Sequence, residues 1–182
     1  MLRLFVAIPL PASVRRALTG ISTGVPGARW TQPDNLHLTL RFIGEVPEPE
    51  ARDIADVLSL VDGRPFAARL KGVGQFGDRK RAHVLWAGVE AGPELQLLRS
   101  RIENRLARVG IDPEGRKFTP HVTLARLKST PVDWVGRYIA EHGRFETPPF
   151  EASAFALFSS HLGQAGAIHT LEADYPLTAA AA

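Results

Sequence analysis

Hydrophobic and polar residues alternate along two segments of the chain that contain nearly the same phrase. Residues 35–44 read NLHLTLRFIG, in which the apolar residues fall on one face of a β-strand and the histidine and threonine on the other. Residues 118–126 read FTPHVTLAR and repeat this division. Both segments are therefore predicted to be strands that bury one face and present an H-x-T pair on the opposite face.

A helical spacing of apolar residues marks four other segments. It is clearest in residues 92–110, where apolar residues recur every three or four positions, arginines fill the opposite face and Gly110 suits the C-cap. Helices are predicted at residues 12–21, 47–61, 92–110 and 131–143. Strands are predicted at residues 3–8, 35–44, 66–76, 82–90, 119–127, 150–160 and 167–177. The basic sequence GDRKR (77–81) is predicted to be a turn.

Helices and short antiparallel strands in this order predict an α+β domain. Each H-x-T strand follows one predicted helix and leads into another, so the chain contains a weak internal repeat. The repeat predicts two pseudo-symmetric lobes of antiparallel sheet and helices with a cleft between them. No segment resembles an interdomain linker, and we expect residues 1–177 to form a single bilobal domain, followed by a flexible tail at 178–182.

Composition narrows the chemistry without identifying a partner. The chain has no cysteine, which excludes a thiol nucleophile and cysteine-ligated metal sites and fits a reducing cytoplasm. No apolar segment approaches the roughly 20 residues that a spanning helix needs, so we expect a cytoplasmic protein without a membrane partner. The net charge is +3, with 18 arginines against 4 lysines. Arginine matches phosphate bidentately, although a GC-rich genome would produce the same bias.

Two histidines on facing strands suit in-line displacement at phosphorus. The pairs are His37 with Thr39 and His121 with Thr123. One imidazole can deprotonate an attacking water while the other protonates the leaving oxygen, and a reference pKa near 6.5 permits both roles at neutral pH. The threonine hydroxyls can donate hydrogen bonds to phosphate oxygens. One H-x-T pair would be an ordinary surface feature, whereas two with matching alternation favour an active site built from two halves.

The paired motifs resemble those of the two-histidine phosphoesterases. Their flanks resemble one branch, the bacterial and archaeal RNA 2′,3′-cyclic phosphodiesterases, historically called 2′-5′ RNA ligases. The similar segments are RLFVAI at 3–8, W-x-x-x-x-N-L-H-L-T-L-R-F-I-G at 30–44, FTPHVTLAR at 118–126 and YPL at 175–177. The resemblance therefore covers nearly the whole chain.

This resemblance implies a bilobal, LigT-like fold with the active site in the cleft. It implies hydrolysis of terminal 2′,3′-cyclic phosphates to 2′-phosphates without a metal or cofactor, and reversible 2′-5′ ligation as a further activity. By the same resemblance His37 is the general acid at the leaving 3′ oxygen and His121 the general base that activates water. Thr39 and Thr123 hold the phosphate. The two motifs are too similar to distinguish acid from base by themselves.

Two arginines compete for the role of phosphate ligand. The resemblance points to Arg126, but strict alternation puts residue 126 on the apolar face of its strand, so a bulge or strand end must redirect it. Alternation instead favours Arg41, which shares the face of His37. Both remain candidates for binding substrate.

Three other residues bear on the ends of the cleft. If the strand at 3–8 pairs with the histidine strands, Phe5 faces the cleft, where it could stack a nucleobase. His169 stands where the resemblance implies an aromatic residue. His161 is interpreted as a structural residue of a turn, because it lacks metal-ligand spacing with a carboxylate.

Alternative functions remain open at the level of sequence. The same site could act on another cyclic nucleotide, and the same fold could serve as a non-catalytic RNA-binding module. The binding module is disfavoured because a binder gains nothing from two histidines poised for proton transfer. The expected partners are RNA with a 2′,3′-cyclic phosphate end or small cyclic nucleotides, and the expected state is a monomer.

Overall fold

The computed structural model describes residues 1–78 and 80–179 and has the mixed α+β architecture that the sequence predicts. The strands are β1 (Leu2–Pro9), β2 (Ala28–Trp30), β3 (His37–Val46), β4 (Phe66–Gly77), β5 (Ala82–Ala91), β6 (His121–Leu127), β7 (Phe150–Ala152), β8 (Ala154–Gly163) and β9 (Gly166–Pro176). The helices are α1 (Ala12–Gly20), α2 (Glu48–Leu58), α3 (Pro93–Ala107) and α4 (Val132–His142), and Pro33–Asn35 form a 3-10 turn before β3.

The strands form two antiparallel sheets, one for each histidine motif. The first sheet has the order β3-β1-β8-β9, and the second has the order β2-β6-β5-β4-β7. Strand β3 is an edge of the first sheet, whereas β6 lies inside the second, between β2 and β5. The two H-x-T pairs therefore belong to separate lobes, as expected.

Strand pairing differs from the prediction in two places. The predicted strand at 150–160 is two strands, because the chain changes sheets at Ser153: β7 pairs with β4, and β8 pairs with β1. The short strand β2, which pairs with β6, was not predicted. Three residues are too few to show an alternation, and the choice of sheet depends on partners that are distant in sequence.

Helices and core connect the two lobes. Helices α2 and α3 pack against strands of the first sheet, and α4 packs against β4 of the second. The Tyr138 hydroxyl of α4 donates a 2.7 Å hydrogen bond to the carbonyl of Ile21, just after α1. One hydrophobic core includes buried residues of both sheets, such as Leu4 and Leu124. On these connections we propose that residues 1–177 form one domain.

Both histidine strands contain a β-bulge directly after their H-x-T sequence. The register shifts between Thr39 and Arg41 in β3 and between Thr123 and Ala125 in β6. A bulge sets two successive residues against one partner and so reverses the alternation of faces beyond it. The residue four positions after each histidine, Arg41 or Ala125, consequently points inward. The next residue, Phe42 or Arg126, returns to the face of the histidine.

Three remaining expectations concern the turn, the tail and the membrane. The basic turn joins β4 to β5 as predicted, although residue 79 within it lies outside the described residues. Of the predicted tail, residues 178 and 179 follow β9 without regular structure, and 180–182 lie outside the described residues. None of the described helices is both long enough and apolar enough to cross a bilayer.

Candidate active site

A cavity of about 730 Å³ lies where the two histidine strands meet. Cα atoms of β3 and β6 approach one another to within 8 Å. Five of the predicted site residues line this cavity: His37, Thr39, Thr123, Arg126 and Phe5. The fold thus brings predicted residues from both lobes to one place.

His121 is adjacent to the residues that line the cavity but is not one of them. It lies on the same face of β6 as Thr123, two positions away and roughly 7 Å along the strand. Its Nδ1 is 2.6 Å from the carbonyl oxygen of Thr119. Because a carbonyl only accepts, Nδ1 carries the proton and Nε2 is left for acid–base chemistry. The ring is edge-on to Phe76 at 4.8 Å and lies 6.3 Å from Trp86. Aromatic contacts therefore hold the imidazole in place.

His37 is held in a similar way on the other lobe. Its ring donates a hydrogen bond to the backbone carbonyl of Asn35, which is again two residues upstream of the histidine. Phe5 stacks on the imidazole with ring centroids 4.8 Å apart and planes at 25°. His169 approaches edge-on at 5.2 Å and also contacts Phe5 at 4.9 Å. His169 thus packs as the aromatic residue that the resemblance implies at this position.

The surroundings of His37 disfavour its charged form in the ligand-free protein. Burial, the largest cause, and the nearby positive charge of His169 together lower its pKa from 6.5 to about 4, against the opposing effect of the Asn35 hydrogen bond. Burial also lowers the pKa of His169. The imidazoles of His37 and His169 are therefore neutral at pH 7. A phosphate anion beside His37 would favour the imidazolium and raise this pKa.

The prediction that Phe5 stacks a nucleobase is wrong. The residue does lie on the cavity side, because β1 pairs with β3 and sets Phe5 opposite Phe42. It is only 4% exposed, however. Its ring is stacked between His37 and Phe158, which is 5.4 Å away. Phe5 therefore supports the ring of His37 instead of offering a surface to a base.

The bulges determine which of the two candidate arginines faces the cavity. Arg126 is exposed on the cavity face of β6, as the resemblance implied. The prediction that Arg41 shares the face of His37 is wrong, because the bulge turns it inward. Arg41 is 7% exposed, and its guanidinium donates to Glu103 of α3 at 2.6 Å and to the carbonyl of Asp112 at 2.5 Å. It joins β3 to the neighbouring helix and does not line the cavity.

Several cavity residues were not predicted from the sequence. Arg29 of β2, Asn35 and Phe42 all line the cavity, as does His161, which was interpreted as a structural residue. Arg29 and Asn35 flank the first motif in ARWTQPDNLHL, and this proximity is the one sequence signal that could have found them. The side chain of Asn35 also donates a 2.7 Å hydrogen bond to the carbonyl of Ala167 on β9.

The donor set along this cavity suits acid–base chemistry on an anion. Among residues 1–78 and 80–179, no group of three or more histidine, aspartate or glutamate side chains is arranged to hold a metal ion. Two antiparallel lobes that each supply an H-x-T strand to a shared cavity define the class of two-histidine phosphoesterases.

Comparison with known proteins assigns the family. The model of the LigT like phosphoesterases matches residues 8–86 and 88–169, and the chain belongs to this family. The RNA 2′,3′-cyclic phosphodiesterase of Aeropyrum pernix is 38% identical over 149 residues, which cover 81% of this chain and 84% of that protein.

Two solved structures extend the similarity to the fold. The crystal structure of a Thermus thermophilus protein has a TM-score of 0.82 at 30% identity and covers 98% of this chain and all of its own. The crystal structure of E. coli LigT complexed with 3′-AMP has a TM-score of 0.77 at 26% identity, covering 98% of this chain and 99% of that one.

Proposed function

We propose that the protein is an RNA 2′,3′-cyclic phosphodiesterase, which hydrolyses a terminal 2′,3′-cyclic phosphate to a 2′-phosphate. The observation that carries this proposal is the meeting of two H-x-T strands from separate sheets at one cavity that also contains Arg126. The name of the A. pernix relative and the 3′-AMP bound to E. coli LigT support a ribonucleotide end as the substrate.

The reaction needs one base and one acid on opposite sides of the phosphorus. In the proposed reaction, Nε2 of His121 takes a proton from water as the water oxygen attacks phosphorus. The bond from phosphorus to the 3′ oxygen breaks, and His37 gives its proton to that oxygen. The phosphate stays on the 2′ oxygen, and exchange with solvent returns both imidazoles to their starting states.

The acid role requires that His37 be protonated in the complex. A neutral imidazole in the free protein becomes a better proton acceptor once the anionic phosphate is beside it. The pKa that appears in kcat/KM belongs to the free enzyme and the pKa in kcat to the complex. Because His37 must keep its proton to act as the acid, its deprotonation belongs to the alkaline limb of each profile, and we expect the alkaline limb of kcat to lie at higher pH than the free-protein pKa of about 4.

The remaining predicted residues would stabilise charge on the phosphate. The hydroxyls of Thr39 and Thr123 lie on the faces of the two histidines and can donate to the non-bridging oxygens. The Thr123 backbone is fixed from outside, since the Thr31 hydroxyl donates a 3.0 Å hydrogen bond to its carbonyl. Arg126 supplies a positive charge and a planar set of donors on the same wall.

The direct test uses a short oligoribonucleotide that ends in a 2′,3′-cyclic phosphate, with excess EDTA present. Formation of the 2′-phosphate, resolved from the 3′-phosphate by chromatography, is expected. Formation of the 3′-phosphate alone would reverse the proposed polarity. Binding without conversion by the folded protein would favour the non-catalytic RNA-binding module, and conversion of only small cyclic nucleotides would favour the other phosphodiesterase activity.

We further propose that the protein works as a monomer in the cytoplasm. The chain contains no cysteine, which fits a reducing compartment. Both lobes of the site come from one chain, so the cavity needs no second copy to supply its predicted residues. Light scattering after size exclusion would detect a mass near 19.8 kDa if the proposed state is correct.

A further inference from the structure

Two arginines lie directly opposite one another on the second-lobe wall of the cavity. Strand β2 pairs with β6 in a register that sets Arg29 against Arg126. Residues opposite each other in an antiparallel pair share a face, with Cβ atoms roughly 5 Å apart. Both arginines are exposed and both line the cavity. Two like charges in this position are unfavourable for the isolated sheet.

The charge of this pair is not neutralised within the described structure. Across residues 1–78 and 80–179, no carboxylate lies within ion-pair distance of either guanidinium. The first-lobe wall is different, because Arg3 is set against Glu45 in the register of β1 and β3. Both of those residues also line the cavity. Unbalanced positive charge is thus concentrated at Arg29 and Arg126.

The pair extends beyond the reacting centre. Arg126 is three positions, roughly 10 Å of strand, from Thr123, and β2 lies on the outer side of β6 at the sheet edge. The flexible side chain of Arg126 can reach back toward the reacting phosphate. Arg29, on the edge strand, instead faces the part of a substrate that extends out of the cavity on that side. An RNA substrate has a further phosphodiester on the 5′ side of its terminal nucleotide, whereas a cyclic mononucleotide has none.

We propose that Arg29 binds the phosphodiester on the 5′ side of the terminal nucleotide and thereby makes the enzyme favour oligoribonucleotides over cyclic mononucleotides. The inference rests on the proposed function and names the substrate class of the same site. Arg126 holds the reacting phosphate, and Arg29 continues the positive wall across the sheet onto the edge strand β2. Its planar guanidinium suits two oxygens of one phosphate.

The test compares R29Q with R52Q on two substrates. Arg52 is exposed on α2 and does not line the cavity, so R52Q removes the same charge elsewhere. The substrates are the trinucleotide ApApA with a 2′,3′-cyclic phosphate end and adenosine 2′,3′-cyclic monophosphate. In R29Q the ratio of kcat/KM for the trinucleotide to that for the mononucleotide is expected to fall about tenfold, equivalent to about 1.4 kcal/mol. R52Q should leave the ratio unchanged.

Salt dependence provides a second measure. Loss of one phosphate contact should reduce the slope of log kcat/KM against log salt concentration by about 0.7 for the single-stranded trinucleotide. Equal losses on both substrates would place Arg29 at the reacting phosphate and overturn the proposal. An unchanged ratio and slope in folded R29Q would also overturn it.

Failure of the proposed function can be separated from failure of this inference. If the wild type hydrolyses neither substrate, the proposed function fails. Fluorescence anisotropy with a labelled trinucleotide that ends in a 2′-phosphate then decides the role of Arg29. A dissociation constant about tenfold weaker for R29Q than for R52Q would support strand binding, and equal constants would exclude it.

Discussion

His37 and His121 are oriented by the same local device, a hydrogen bond to the carbonyl two residues upstream. Each ring is then supported by aromatic neighbours of its own lobe, Phe5 for His37 and Phe76 for His121. Such support fixes the ring and the tautomer before substrate arrives, which lowers the cost of reaching the reactive geometry. The two motifs are equivalent in this respect, and both histidines are partly exposed.

Replacement of either proposed catalytic histidine should abolish turnover without unfolding the protein. H37A and H121A each remove one of the two proton carriers, and we expect kcat to fall at least 10³-fold, at the upper part of the range for general acid–base catalysis. H83A is the matched control, because His83 is exposed on β5 outside the cavity. Steady-state kinetics with circular dichroism would test this. Near-full activity of either variant would exclude the mechanism.

His169 offers a test of the electrostatics around the first histidine. H169F keeps an aromatic ring against Phe5 but removes the positive charge that lowers the pKa of His37. The pKa of His37 should therefore rise, although burial, the larger cause, still holds it below 6.5. The alkaline limb of the kcat/KM profile, on which His37 loses its proton, should move to higher pH. The profile of H83F should match the wild type, and an unmoved limb in H169F would contradict the coupling.

At the scale of elements, the bulges in β3 and β6 determine which side chains reach the cavity. Without them Arg41 would face the substrate and Arg126 the core. With them Arg41 becomes an internal tie between β3 and α3, and Glu103 also pairs with Arg99 at 3.4 Å. A bulge of this kind is a feature of tertiary pairing, because the extra residue is defined only by the neighbouring strand.

Arg41 is therefore expected to affect stability and not substrate binding. R41A leaves the largely buried carboxylate of Glu103 without its closest partner, and removal of one member of a buried pair costs about 3–5 kcal/mol. Urea denaturation should show this loss in the free energy of unfolding, whereas R52A on the exposed face of α2 should change it by less than about 0.5 kcal/mol. Unchanged stability with a raised KM would restore Arg41 as a substrate ligand.

At the scale of the molecule, the two lobes are joined by one core and by helices that cross between them. Helix α3 lies between two strands of the second sheet in sequence but packs against the first. The lobes therefore cannot separate without breaking the packing of both.

Such an architecture should unfold in one cooperative step. All three tryptophans belong to the second lobe or its helix, at Trp30, Trp86 and Trp134. Fluorescence accordingly reports the second lobe, while far-ultraviolet circular dichroism reports both. We expect the two signals to give the same urea midpoint, as two-state unfolding requires. Separate midpoints would show that the lobes are independent units.

The fold class and most elements were predictable because they depend on local periodicity. The H-x-T strands, the long helix α3 and the antiparallel character follow from apolar spacing alone. The strand break at Ser153, the short β2 and the positions of Arg41 and Arg29 were not predictable. Each of these depends on which strand lies alongside, and such partners are far apart in the sequence.

The sequence by itself identified the candidate catalytic groups of this protein: two histidines and two threonines on the polar faces of two strands, in a pattern similar to a known family. That information is local, since alternation assigns a face within a few residues. Only the tertiary structure decided how the two strands meet, which arginine turns toward the cavity and that Phe5 supports His37. Pairing register, bulges and burial arise from contacts between distant segments, and these set the geometry and the pKa of the site.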